Sequence, residues 1–347
     1  MKKITKKTYR DKAARKHHEH ELDRKTKHYD SSKQLSNIDT NKFQIQKPKP
    51  KTKKLTAPKE FSFIYAVDNA LSFFKDFQYY SDNVDHIVIN MEDVERLTIE
   101  VLLYLISLQN INKNKGLKLN VSIKAPTKEE LKILMAQSGF SKYFKAKVDI
   151  KLNQNEILPI QDGESNRKNN INDEQTCKNT IDFTLKFFKD SKFNDVKFKH
   201  MYNALAEMMT NTDNHAYDED GEFRNWYLFA IRVESGVAFY FFDNGKGVLK
   251  TAKKNLLEHA LKITPFSYGH ESLIKAVLKG DYRSATGDNF RNKGLPEINQ
   301  FLTGNSVSFP IILTNKIHCS PSLNEFKVTQ HDFRGTLFVW LLKTEED

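Results

Sequence analysis

The chain has 347 residues, of which 39% are hydrophobic and 12% aromatic, enough for two ordinary domains with real cores. No run approaches the roughly 18 apolar residues that span a bilayer. The opening Met1-Lys-Lys-Ile-Thr-Lys-Lys carries no secretory signal pattern, and Cys177 and Cys319 alone exclude a disulfide framework, so a cytoplasmic protein is expected. The net charge of +11 is uneven: residues 1–60 hold 19 Lys/Arg against 7 Asp/Glu, a charge of +12, and the rest of the chain carries −1.

Residues 1–58 read as a basic tail and linker. Within it, residues 47–59 are polar, proline-punctuated and self-repelling, the composition of an extended linker. Residues 8–30 have the pattern of a charged helix that forms on binding. Such an arm can bind nucleic acid or an acidic protein face, and it can equally serve only to solubilise. His17, His18, His20 and His28 lack a recognised metal-ligand spacing.

Residues 59–150 form a second unit. His86-Ile-Val-Ile-Asn90-Met91 has the pattern of a buried strand, Val94 to Gln109 of a helix, and Leu117 to Ile123 of an alternating strand. Lys128 to Ser138 reads as an amphipathic helix closed by Gly139-Phe140. This β-α-β-α order predicts a sheet with helices on one side. The strand ending at Asn90-Met91, the turn and helix after it, and Leu134-x-x-x-Ser138-Gly139-Phe140 resemble a STAS domain, the fold of anti-sigma-factor antagonists. Those antagonists carry a phosphorylatable serine where Thr98-Ile99-Glu100 stands here. The resemblance therefore implies a docking module without the switch serine, with Thr98 as the nearest hydroxyl. Residues 151–178 are polar and without period, and read as a flexible connector.

Residues 179–347 carry the chemistry. In Ala204-Leu-Ala-Glu207-Met-Met-Thr-Asn211-Thr-Asp-Asn-His215-Ala-Tyr217, an acid, an amide and an imidazole recur at steps of four. Each step of four advances about 40° around a helix, so the three share one stripe. Met201, Ala204, Leu205, Met208 and Met209 supply an apolar stripe for a core. A carboxylate one turn before an amide suits general-base work beside a metal-bound phosphate. An amphipathic helix with a solvated polar face has the same pattern.

Downstream, Val237 to Phe242 reads as a strand that breaks at Asp243-Asn-Gly245-Lys-Gly247. The Asp243 carboxylate can accept a hydrogen bond from an exocyclic amine, and the glycines allow a sharp turn and close approach of a flat ring. An ordinary β-turn uses the same residues. In Arg291-Asn-Lys293-Gly294-Leu295-Pro296-Glu297-Ile298, Pro296 fits a first helical turn, and Gly294 leaves backbone N–H groups free at a positive helix end. Arg334-Gly335-Thr336 opens a last buried strand.

In order and spacing, these four stretches resemble the boxes of the GHKL ATPase superfamily, and the Glu-x-x-x-Asn-x-x-x-His-x-Tyr form looks most like the anti-sigma-factor serine kinases. The resemblance covers roughly residues 182–342. It implies a two-domain α/β protein, a STAS-like domain followed by a GHKL (Bergerat) α/β sandwich that binds ATP and Mg²⁺. Glu207 is similar to the general base, and Asn211 to the side-chain ligand of Mg²⁺. Asp243 matches the aspartate that reads the adenine amine, supported by Thr336, while Gly245 and Gly247 line the ring. Gly294 and Leu295 match the lid end that cradles phosphates. His215 lies near the same face as a helix support. The usual second glycine of the lid box is replaced by Asn292-Lys293, which makes Lys293 a candidate phosphate contact, and Pro296 stands where another glycine is usual.

Three functions are expected in this order. The first is a Mg-dependent ATPase acting as a switch, with ATP ordering a lid over residues 266–293. The second is a Ser/Thr protein kinase of the anti-sigma-factor type with a STAS-type partner. The third is a nucleic-acid-binding or scaffold protein with a regulatory ATP site. Relatives of this kind commonly dimerise, so a homodimer is one expected assembly.

Overall fold

The computed structural model describes residues 51–144, 154–164, 171–188, 195–215, 225–252, 269–280 and 294–344. Its first layer is a parallel sheet of three strands, β1 (Thr52–Thr56), β3 (His86–Asn90) and β5 (Asn120–Lys124), in the order β1-β3-β5. A second small parallel pair joins β2 (Glu60–Phe61) to β4 (Arg96–Leu97). Helices α1 (Val67–Ser81) and α2 (Ile99–Asn114) make the crossovers between the three strands. α2 is apolar around its whole circumference, with Val101, Leu102, Leu103, Leu105 and Ile106 fully buried. Such a helix cannot lie at a surface and needs a second layer above it. A shorter helix, α3 (Glu129–Gln137), ends at Gly139, whose φ of 81° closes it.

The second layer of strands is a five-stranded antiparallel sheet. It comprises β6 (Ile157–Glu164), β7 (Asn225–Val233), β8 (Gly236–Asp243), β9 (Val307–Ser320) and β10 (Glu325–Lys343), in the order β6-β7-β8-β10-β9. Successive side chains enter different cores, as the period of two requires. Trp226, Leu228, Phe239, Phe241, Phe338 and Trp340 pack beneath α4 (Ile171–Leu185), α5 (Asp195–His215), α6 (His270–Lys279) and α7 (Gly294–Leu302). Tyr227, Phe229, Phe242, Leu313, Leu337 and Val339 join the core built on α1 and α2. The middle of this sheet is thus buried on both faces, and β7, β8 and the second half of β10 read as nearly continuous apolar runs.

Aromatic rings weld the two halves together. Tyr104 of α2 stacks on Phe333 with centroids 4.8 Å apart and meets Phe242 edge-on at 5.5 Å. Phe63 meets Phe333 at 5.2 Å. At the start of α1, Asp68 Oδ1 accepts a hydrogen bond from Gln330 N at 2.9 Å, and Oδ2 pairs with Lys327 at 2.8 Å. Residues from Pro50 onward form one compact unit.

Two segments differ from their sequence reading. β1 lies within residues 47–59, which the composition marks as linker; one buried side chain, Leu55, and pairing with β3 suffice to order it. Residues 151–178, read as a connector, contain β6 and the first part of α4. Thr98 is the N-cap position of α2, and its hydroxyl donates to the buried Glu100 carboxylate, which also accepts from Ser62 Oγ at 3.0 Å and Phe63 N at 3.1 Å. The Thr98 hydroxyl is therefore engaged with the carboxylate that holds Ser62 and Phe63 to α2. Residues 1–50, including the four clustered histidines, lie outside the described residues.

β10 is irregular where it passes the end of β8. Gly335 has φ 98°, and a Cβ there would overlap the carbonyl oxygen of Asp243. Gly335→Ala is therefore expected to destabilise the protein by roughly 2–3 kcal/mol. Urea unfolding should show a lower midpoint with an unchanged slope.

Candidate functional site

α5 carries its apolar stripe inward, with Met201, Ala204, Leu205, Met208 and Met209 buried. Asn203, Glu207 and Asn211 follow one another at steps of four and are half-buried. α7 lies against this polar stripe. Its own apolar residues Ile298, Phe301 and Leu302 are buried, which fixes the helix and brings its first residue, Gly294, onto Glu207. A Cβ on Gly294 would lie 2.6 Å from Glu207 Oε2 and 3.2 Å from Asn211 Nδ2. With glycine here, the α7 backbone comes this close while the carboxylate and amide keep their positions; a larger residue would make the Glu207 side chain shift. One turn along, Glu297 Oε1 accepts from Asn203 Nδ2 at 3.3 Å. Residues three apart on α7 thus meet residues four apart on α5.

The electrostatics of this corner are unsettled in a specific way. Burial, and then the nearby Glu297 charge, raise the Glu207 carboxyl above its ordinary range. Asn211 Nδ2 is buried and has no hydrogen-bond partner. An unsatisfied buried amide costs about 1–3 kcal/mol, so a ligand that satisfies it gains affinity.

The second corner is at the end of β8. Asp243 stands opposite Trp226 on β7 and Thr336 on β10. By the alternation along β8 its side chain shares the face of Phe239 and Phe241, and Thr336 shares that of Phe338 and Trp340, the face that α5 covers. Asp243 Oδ1 accepts from Gly245 N at 2.8 Å. Burial pushes its carboxyl up to about 6 from 3.8, against the hydrogen bonds from Gly245 and Thr336 that favour the ionised form. Asn244 pins the turn to the start of β7: its Oδ1 accepts from Asn225 N at 3.0 Å, and its N–H donates to Asn225 O at 3.1 Å. Gly247 has φ 85°, and a Cβ there would lie 2.7 Å from both Thr314 Oγ1 and Asn315 Oδ1.

The structure thus brings Glu207, Asn211 and Gly294 together, and separately Asp243, Gly245 and Thr336, on the same side of the sheet. Leu295 is half-buried against the helical core. Lys293 and most of the expected lid segment lie outside the described residues, as does the His215 side chain. Sequence reasoning missed Asn203, Glu297, Thr314 and Asn315. Two small polar residues interrupting the apolar run of β9 were the available signal for the last pair. Among the described residues no group of three or more His, Cys, Asp or Glu side chains gathers as a metal cage, and no helix is long and apolar enough to cross a membrane. Comparison with protein-family models and with curated proteins finds no match.

Proposed function

We propose that the protein binds ATP with Mg²⁺ and hydrolyses it as a conformational switch. The observation that carries this reading is the corner where the Gly294 backbone lies directly against the Glu207 carboxylate and the Asn211 amide. Its donor set fits a metal-bound phosphate: a carboxylate raised by burial, a buried amide lacking a partner, and a glycine that opens a helix. Mg²⁺ is commonly shared between one or two protein oxygens, waters and substrate phosphates, and Asn211 is the side chain here that would offer it an oxygen. When bound beside Asn211, Mg²⁺ would supply positive charge that neutralises the phosphate.

The chain's own residues then divide the work. Asn211 would offer Oδ1 to the metal and its unpartnered Nδ2 to an acceptor oxygen. Backbone N–H groups at the start of α7 face anionic oxygens at the positive end of the helix. Glu207, once ionised, takes a proton from the attacking water or hydroxyl. Asp243, held by Gly245 and Thr336, accepts a hydrogen bond from the adenine amine. On this reading residues 179–347 are a GHKL-type domain, and the α1 and α2 layer with its parallel sheet is a STAS-like module fused to the back of the five-stranded sheet. Packing of Tyr104 on Phe333, two residues before Gly335, supports a switch in which the two layers respond together.

The test follows the γ-phosphate of radiolabelled ATP with the full chain and Mg²⁺, wild type beside Asn211→Ala. Free phosphate from the wild type, lost by roughly 100-fold or more in the variant, is expected. Label retained on a protein hydroxyl would make the chain a kinase instead. No turnover and no binding would remove the ATP reading.

A further inference from the structure

We propose that Asn315, together with Thr314, is a positioning residue of the nucleotide site, a clamp from β9 that holds the Asp243–Gly247 turn and so governs how well the adenine is read. The proposal rests on the ATP reading above.

Asn315 is 3% exposed and has φ 50°, a left-handed conformation inside a strand. Asparagine tolerates that region better than most residues, but it rarely occurs without a reason. The partner strand is irregular at the same level. Phe333 pairs with Asn315 and Thr336 with Thr314, so Arg334 and Gly335 are left over on β10. The irregularity on β10 falls opposite the point where Asn315 takes its own left-handed backbone on β9.

Its side chain satisfies three backbone groups of another segment. Oδ1 accepts from Leu249 N at 3.0 Å and Lys250 N at 3.2 Å, and Nδ2 donates to Lys246 O at 2.6 Å. Thr314 Oγ1 accepts from Val248 N at 2.9 Å and donates to Gly335 O at 3.1 Å. The three N–H groups that open the helical segment at Val248 are therefore capped by a strand distant in sequence rather than by a residue preceding the helix. Gly247 leaves the space in which both side chains lie.

The consequence is mechanical. The turn that presents Asp243 and Gly245 is tied at its near end by Asn244 to β7 and at its far end by Thr314 and Asn315 to β9. The Thr314 hydroxyl also reaches Gly335, so one side chain links the adenine turn to the strand that supplies Thr336. Strain kept where the surroundings over-determine it is the mark of a constraint on function.

Asn315→Gly separates this role from folding, because glycine adopts φ 50° without strain while the clamp is removed. ATP and GTP affinities of the full chain would be measured by equilibrium titration, with turnover at saturating ATP. The expected result is a loss of ATP affinity of about tenfold or more, with GTP affinity unchanged and turnover within about twofold, since Glu207 and Asn211 stand on α5. Asn315→Asp keeps the acceptor and loses the donor to Lys246, and should fall between the two. Hydrogen exchange at Val248–Lys250 without nucleotide should speed up in Asn315→Gly. A wild type that binds ATP beside an Asn315→Gly chain that binds it equally well, with the same preference over GTP, overturns the clamp and leaves the ATP reading standing. A wild type that binds no adenine nucleotide overturns the ATP reading and the clamp's role with it.

Discussion

Asp243→Asn is expected to abolish ATP binding and at the same time to stabilise the nucleotide-free protein at pH 8. The wild-type carboxyl has its pKa raised by burial to about 6 from 3.8. A carboxyl raised on folding contributes stability that is fully present below the unfolded value and is lost as pH rises through the folded one. A shift of about two units corresponds to about 3 kcal/mol that ionisation costs the folded state above pH 6. Asparagine removes the charge and keeps one oxygen for Gly245 N. Its amide then faces Thr336, whose hydroxyl can turn to accept but whose backbone N–H, also a donor to the carboxylate, cannot, so the net gain should be at most roughly 1 kcal/mol. That is a rise in Tm of a few degrees at pH 8. The gain should shrink towards pH 5, where the wild-type carboxyl is largely protonated. Binding should move the other way. A site built to accept a hydrogen bond from an exocyclic amine rejects a ligand strongly once the acceptor becomes a donor, and a loss of at least about 100-fold is expected. Wild-type ATP affinity should also rise with pH through about 6. Thermal scans at pH 5 and pH 8, with and without ATP, read all of these together. Retained ATP binding in Asp243→Asn would remove adenine recognition from Asp243.

The parts of the site legible in the sequence are those built by local periodicity. The steps of four from Glu207 to Asn211 survive as a half-buried stripe because Met201, Leu205, Met208 and Met209 on the other side fix the rotation of α5. Gly294 was legible because a glycine followed by Leu295 and Pro296 can be little other than a helix start. α4 was hidden for a chemical reason. Its buried face is made partly of Thr176, Thr180 and Thr184, which look polar in sequence. Thr180 and Thr184 instead donate to the carbonyls of Thr176 and Thr180, each at 2.7 Å, and so bury without cost to water-seeking groups. β6 was hidden by Pro159 and Gly163. It is an edge strand, where proline is tolerated, and Gly163 leaves room for the Trp226 ring. Asn315 was beyond any local reading, because its role depends on a bulge in a strand that follows it.

Burial on both faces of β8 also ties the Asp243 corner to both cores. Phe242 and Asp243 are neighbours on β8 that point to opposite layers, Phe242 towards Tyr104 and Phe333, Asp243 towards the α5 layer. Arg334 N donates to the Tyr104 hydroxyl at 3.4 Å, and Arg334 Nε to Asn244 O at 3.3 Å. Arg334 therefore links Tyr104 of α2 to the turn after β8, its N–H reaching the Tyr104 hydroxyl and its side chain the Asn244 carbonyl. A sheet exposed on that face would leave the turn after β8 without this link to the layer behind it.

Glu207→Gln should leave ATP binding within a few-fold of wild type while lowering hydrolysis by about 10²–10³. Glutamine keeps the shape and hydrogen-bonding reach of the side chain beside Gly294 but cannot take a proton. The affinity groups, Asp243 and the start of α7, are untouched, so the loss should fall in kcat and not in KM. The wild-type rate should also have an acid limb. Glu207 must be ionised to act as base, and burial followed by the Glu297 charge holds its carboxyl above the ordinary range. Activity should therefore fall as pH drops through that raised value. Glu297→Gln removes one of the two causes, so its acid limb should lie at lower pH than that of the wild type. The pair of profiles discriminates between roles. If Glu207→Gln turns over as fast as wild type, Glu207 is not the base. If its loss appears in KM alone, the side chain serves to hold α7 against α5, and the proton must leave the attacking oxygen by another route.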